Sequence, residues 1–185
     1  GAGKEGIDEL DAQVREHSEG REMTANILPS ASAEKHYPIA FNLIPQIDVF
    51  CDNLYTKEEM KMVNETKKIM EDYEMRITAT TIRVPVYRSH SESVNIELEK
   101  EVDLGAMREA LAKFPGVTVQ DDPSKQEYPM PLYTSEKDDV YVGRLRRDES
   151  CEKSYNMWVV GDQIRKGAAL NTLQIAETMI KNGWI

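Results

Sequence analysis

Apolar residues return along this chain at two different periods, and the change of period marks out its elements. Ile7, Leu10 and Val14 recur at helical spacing, which predicts a helix over residues 5–17. Residues 18–40 are polar, contain Pro29 and Pro38, and read as a loop holding at most a short helical turn. From Ile39 to Phe50 the chain is apolar and extended in character, interrupted by Pro45. Thr56-Lys57-Glu58-Glu59 is a capping box, with Glu59 reaching back to the cap, so a helix runs from there to about Glu71.

A strand is expected from about Arg76 to Tyr87. A second follows, because Val94, Ile96 and Leu98 alternate with Asn95, Glu97 and Glu99. Residues 103–114 read as a helix ended by Pro115-Gly116. Residues 120–139, with Pro123, Pro129, Pro131 and many charges, form a long excursion. Strands are expected near Val140–Arg146 and Tyr155–Val160, then a long helix from Gln163 to Lys181 closed by Asn182-Gly183. No repeat or low-complexity tract is visible. The sequence of elements predicts an α+β fold, a mainly antiparallel mixed sheet with helices packed on one face.

Composition narrows the function. The length of 185 residues suits one domain with a real core. Acidic residues outnumber basic ones, 33 to 23, for a formal net charge of -10, which argues against nucleic acid as a partner. No apolar run reaches the length of a membrane span. The start, Gly1-Ala2-Gly3-Lys4-Glu5-Gly6, has no signal-peptide core and no methionine, so the chain is expected to begin inside a longer protein or after a processing scar. Cys51 and Cys151 form neither a disulfide framework nor a metal spacing, and a reducing cytoplasm is the default setting.

Candidate chemistry concentrates in Ile82-Arg83-Val84-Pro85-Val86-Tyr87-Arg88-Ser89-His90-Ser91. An arginine fork grips a carboxylate at two points, and a histidine moves a proton at neutral pH. Arg83 and His90 are seven apart, so on one unbroken strand they face opposite ways. A shared site needs the pleat broken, at Pro85 or in the polar stretch Arg88-Ser89-His90-Ser91. By residue types alone, a surface arginine and a turn histidine is the commoner reading. Glu58 and Lys61, at i,i+3, share a helix face. They suit a substrate ammonium and a phosphate, but spacing alone favours an exposed ion pair worth about 0.3–0.5 kcal/mol. Neither cysteine has an activating base nearby in sequence. Arg165-Lys166-Gly167-Ala168-Ala169 opens the last helix, whose N-terminus favours anions, but no GxGxxG turn occurs in the chain. Tyr155 and Trp158 read as core.

Together the segments resemble aspartate-semialdehyde dehydrogenase. The likeness rests on Phe41-Asn42-Leu43-Ile44-Pro45-Gln46-Ile47-Asp48, on Thr56 to Lys61 with Glu65-Thr66, and on Arg83 to Ser93. Tyr128-Pro129-Met130-Pro131-Leu132, Val142 to Arg146, Asn156 to Val160 and Arg165 to Asn171 continue it in the same order. It covers essentially all 185 residues and is similar to the C-terminal catalytic and dimerisation half of the bacterial enzyme. That family interconverts aspartyl phosphate and aspartate semialdehyde with NADP, on the route to lysine, methionine and threonine.

The resemblance implies roles. Arg83 matches the residue that binds the substrate carboxylate, and His90 the acid/base for the hemithioacetal proton. Glu58 matches the acid that places the substrate amino group, Lys61 the base that helps bind phosphate, and Asn171 a contact to the cofactor. It implies a homodimer joined through the sheet, with residues 162–185 forming a helix that packs against an NADP-binding domain. No metal is implied. The family's nucleophilic cysteine, in a Cys-x-Asn context, and its glycine-rich cofactor loop have no counterpart here. Gly1-Ala2-Gly3 matches the tail of the family's Ser-Gly-Ala-Gly turn, just after its supporting glutamine. The chain alone is therefore expected neither to turn over substrate nor to bind NADP tightly. Two alternatives are a non-catalytic homodimerisation module and an acetylglutamyl-phosphate reductase. The free-ammonium partner Glu58 favours the aspartate enzyme.

Overall fold

The computed structural model describes residues 2–185, so the Gly1 end of the expected glycine turn lies outside the described residues. The chain divides into two compact units, Gly1–Tyr87 and Arg88–Ile185.

The first unit holds α1 (Gly3–Ser18) and α2 (Lys57–Met70). Both helices arise where the periodicity places them, but α1 buries a different face from the one its apolar residues mark. Gly6, Leu10 and Gln13 are buried, whereas Ile7 and Val14 are exposed. Gln13 is fully buried because it serves the loop. Its Oε1 accepts the N–H groups of Ile39 and Ala40 at 2.9 and 3.0 Å, and its Nε2 donates to the Thr24 carbonyl at 2.8 Å. Beyond Ser18 the polar residues up to 40 form a loop, as expected, and are thereby tied down over Leu10, Leu28, Ile39, Ala40 and Ile44, the unit's core.

One extended segment differs from expectation. Residues 76–87 form no strand; between them and the extended residues 39–50, Ile44 and Arg83 alone exchange backbone hydrogen bonds, at 2.8 and 3.1 Å. A β-branched run needs a neighbour to become a strand, and here Ile82, Val84 and Val86 remain exposed. Pro85 cannot donate, and Val86 N–H folds back on the Val84 carbonyl at 2.8 Å, which ends the extended path. The α2 capping box forms as read: Glu59 N–H donates to Thr56 Oγ1 at 3.2 Å and Thr56 N–H to Glu59 Oε2 at 2.8 Å.

In the second unit the chain runs β1 (His90–Glu97), α3 (Leu104–Lys113), β2 (Val117–Val119), α4 (Pro131–Thr134), β3 (Val140–Arg147), β4 (Ser154–Gly161) and α5 (Leu170–Lys181). The sheet order is β1-β4-β3-β2, antiparallel except for the parallel β2–β3 pair. Strand β1 starts four residues earlier than the alternation indicates, because its polar first half still pairs with β4, His90 opposite Gly161. Strand β2 escapes the sequence reading because three residues are too few to show a period. Met107 of α3 packs with Leu145 and the fully buried Tyr155, flanked by Ile96, Leu98 and Met157. The Tyr155 hydroxyl donates to the Val102 carbonyl and accepts from its N–H, both at 2.7 Å, so the buried ring leaves no polar atom stranded. Trp158, on the opposite face of β4, donates Nε1–H to the Pro129 carbonyl at 3.0 Å and roots the 120–139 excursion. Directly ahead of α5, residues Arg165–Ala169 form a π-helical turn, so the expected long helix opens wider than an α-helix before continuing as α5. Its end is as read: Gly183 takes φ +68°, and Trp184 N–H reaches back to the Met179 carbonyl at 2.9 Å.

Candidate functional site

Within the first unit, the capped start of α2 presents Glu58 and Lys61 on one face, with Lys61 Nζ 3.3 Å from Glu58 Oε2. Arg83 reaches the same neighbourhood from the extended segment that pairs with Ile44. Its guanidinium is half-buried. Burial pulls its pKa below the ordinary arginine value, and the nearby Glu58 carboxylate offsets part of that pull. One Arg83 NH2 group donates to the Pro29 carbonyl at 3.3 Å, while its buried Nε has no hydrogen-bond partner. A guanidinium carries five donors and stays charged, so a half-buried one with an unanswered Nε–H is poised for an anion. A cation, a carboxylate and an ammonium therefore converge, the complement of a ligand bearing two anionic groups and one cationic group. Two open hollows on this unit, of about 450 and 340 Å³, are lined mainly by Phe41, Asn42, Leu43, Phe50 and Pro85, and by none of these three side chains.

His90 and Asn171 belong to the second unit. His90 opens β1 as an exposed residue, and what precedes it is the pleat break the sequence asked for. Ser89 is buried with φ +78°, its N–H donates to Gln163 Oε1 at 2.8 Å, and its hydroxyl lies 3.1 Å from that of Ser135. Arg88 Nε lies 2.6 Å from Asp162 Oδ2, an ion pair rather than a well-aligned hydrogen bond. The residues before His90 are thus anchored from two places, the turn that follows β4 through Asp162 and Gln163 and the end of α4 through Ser135.

Asp162 also settles the fate of the last helix's N-terminus. Its buried carboxylate accepts the N–H groups of Glu136, Ile164 and Arg165 at 2.7, 2.9 and 3.1 Å. Burial pushes this carboxyl up, but those N–H groups and Arg88 outweigh it and hold it below the ordinary carboxylate value. The anion that the sequence leaves open for a ligand at Arg165-Lys166-Gly167 is supplied by the chain itself. Asn171 sits half-buried at the start of α5. One amide beside a helix start already capped by a carboxylate does not make a dinucleotide cradle.

Among the described residues no three His, Cys, Asp or Glu side chains gather as a metal site, and no helix is long and apolar enough to cross a membrane. Cys51 is half-buried and Cys151 exposed, and both are free thiols. Sequence reasoning missed the Arg88–Asp162 pair and Gln13. Asp162 carries no pattern of its own, and Gln13 sits among polar residues of an amphipathic helix.

A family model described as semialdehyde dehydrogenase, dimerisation domain, matches residues 1–166. Aspartate-semialdehyde dehydrogenase of Aquifex aeolicus (strain VF5) is 48% identical over 185 residues, covering 100% of this chain and 53% of that protein. The crystal structure of aspartate semialdehyde dehydrogenase II from Vibrio cholerae is similar with a TM-score of 0.88 at 41% identity, over 97% of this chain and 51% of that one. The same enzyme complexed with ASA gives a TM-score of 0.87 at 40% identity, over 96% and 50%. The chain spans about half the length of the curated relatives it matches.

Proposed function

The chain belongs to the semialdehyde dehydrogenase dimerisation-domain family, and on that premise we propose that it is the substrate-binding and dimerisation part of an NADP-dependent aspartate-semialdehyde dehydrogenase. In this reading Arg83 binds the substrate carboxylate, Glu58 its ammonium and Lys61 the phosphate, while His90 serves as acid/base. Asn171 contributes to a cofactor site built mainly by the other half of the longer protein, against which α5 packs. The thiol nucleophile comes from that half too. The work is done in the cytoplasm, by a homodimer joined through the sheet.

The observation that carries the reading is the half-buried Arg83 guanidinium, with its unanswered Nε, beside the Glu58–Lys61 pair. A phosphorylated amino acid offers the matching charges, and fixing them orients the reacting carbonyl. The test is steady-state kinetics on the full-length protein with aspartate semialdehyde, phosphate and NADP. Arg83→Lys keeps the charge but loses the fork, and lowers kcat/KM by about tenfold to a hundredfold, chiefly through KM for aspartate semialdehyde. An unchanged KM overturns the assignment. The 185-residue chain alone gives no turnover, and mixing it with the other half restores NADP reduction.

A further inference from the structure

Glu59 does more than a capping box asks of it. The box uses one carboxylate oxygen, Oε2, which accepts the Thr56 N–H at 2.8 Å. The other, Oε1, accepts the backbone N–H of Thr81 at 2.8 Å, twenty-two residues further along the chain. Thr81 stands two residues before Arg83, whose own backbone is held on Ile44. Glu58 stands one residue before Glu59, and Lys61 two after it. A single buried carboxylate, 7% exposed, thus clamps the helix start that carries two of the site's groups to the segment that carries the third. Either Glu or Gln completes a capping box, but only a carboxylate offers two acceptor oxygens and no donor. The second bond, to Thr81, is the physical reason for Glu rather than Gln at this position.

We infer that Glu59 is a positioning residue of the substrate-binding array, setting the spacing of Arg83 from Glu58 and Lys61 by bridging Thr56 and Thr81. The inference rests on the reading of those three side chains as substrate groups. It assigns Glu59 no contact with substrate: its effect passes through the geometry of its neighbours.

The experiment uses the full-length protein and the Glu59→Gln variant, with active-site titration, steady-state kinetics and thermal denaturation. An amide turns an N–H donor toward either Thr56 or Thr81, so one bridge opens while side-chain volume is kept. KM for aspartate semialdehyde rises about tenfold or more, and kcat per titrated site falls by about threefold or less. Glu59→Asp retains both acceptor oxygens but is one methylene too short to span both partners. It gives the same KM rise and serves if the Gln variant does not fold. A lowered melting temperature and fewer active sites with KM unchanged would mean a purely structural role and overturn the inference. Arg83→Lys, measured in parallel, separates the two failures. If it leaves KM unchanged, the reading of the site falls; if it raises KM while both Glu59 variants leave KM alone, only the positioning role falls.

Discussion

Asp162 shows how much one buried side chain decides at the scale of single residues. It has no solvent exposure, faces Arg88, and accepts three backbone N–H groups from two separate segments. Removing its charge leaves Arg88 with the Glu136 carboxylate at 3.5 Å as its remaining ion-pair partner, and Asp162→Asn is expected to cost about 2–3 kcal/mol at neutral pH, read from urea denaturation. Asp162 and Glu59 both have folded-state pKa values below their ordinary ones. The stability each contributes is complete above the unfolded carboxylate range, about pH 4, and is lost as pH falls through the depressed folded value. Wild-type stability should therefore fall below that range, and Asp162→Asn should flatten this acid limb. A variant whose stability declines with acid as steeply as wild type would remove Asp162 from this account.

Among the elements, the capped helix and the β3 strand show two kinds of constraint. Helix α2 is specified locally: Thr56 and Glu59 satisfy the first N–H groups, so the helix starts in one place and presents Glu58 and Lys61 together. Strand β3 is constrained from outside. A Cβ on Gly143 would sit 2.2 Å from the Gln120 carbonyl oxygen and 2.6 Å from Pro129 Cδ, where the excursion crosses the sheet. Gly143→Ala is expected to destabilise the protein by about 1–3 kcal/mol, measured as a lowered denaturation midpoint. A neutral effect would mean that the 120–139 crossing yields easily. Helix α5 is held differently again. None of its residues is buried, and Leu173, Ile175 and Ile180 are among its exposed apolar positions.

For the whole molecule, that exposed apolar surface is what the proposed packing of α5 against the other half would cover, while the family's dimerisation-domain description bears on the sheet-joined homodimer. Leu173, Ile180, Trp184 and Ile185 are each more than 60% exposed, more than a solitary domain usually leaves to water. Light scattering on the purified chain is expected to give twice the monomer mass, persisting on dilution into the low micromolar range. A clean monomer would remove the homodimer from the proposed function. Exposure of this kind cannot be read from periodicity, because an apolar stripe looks the same whether it meets the chain's own core or another surface.

The sequence by itself determined the local elements and the chemistry of the candidate groups. The capping box at Thr56, the alternation through Val94 and Ile96, and the glycine closing the last helix act within a few residues, so their signals lie in neighbouring letters. Tertiary structure decided what depends on partners distant in sequence. It denied a strand to residues 76–87, whose β-branched side chains found no neighbouring strand. It turned α1 so that Gln13 faces inward while Ile7 and Val14 do not. It placed Arg83 beside Glu58 across twenty-four intervening residues, and gave Ser89 the left-handed backbone that breaks the pleat before His90. A backbone N–H accepts whichever buried carboxylate or amide the fold delivers, and only the folded chain determines which one that is.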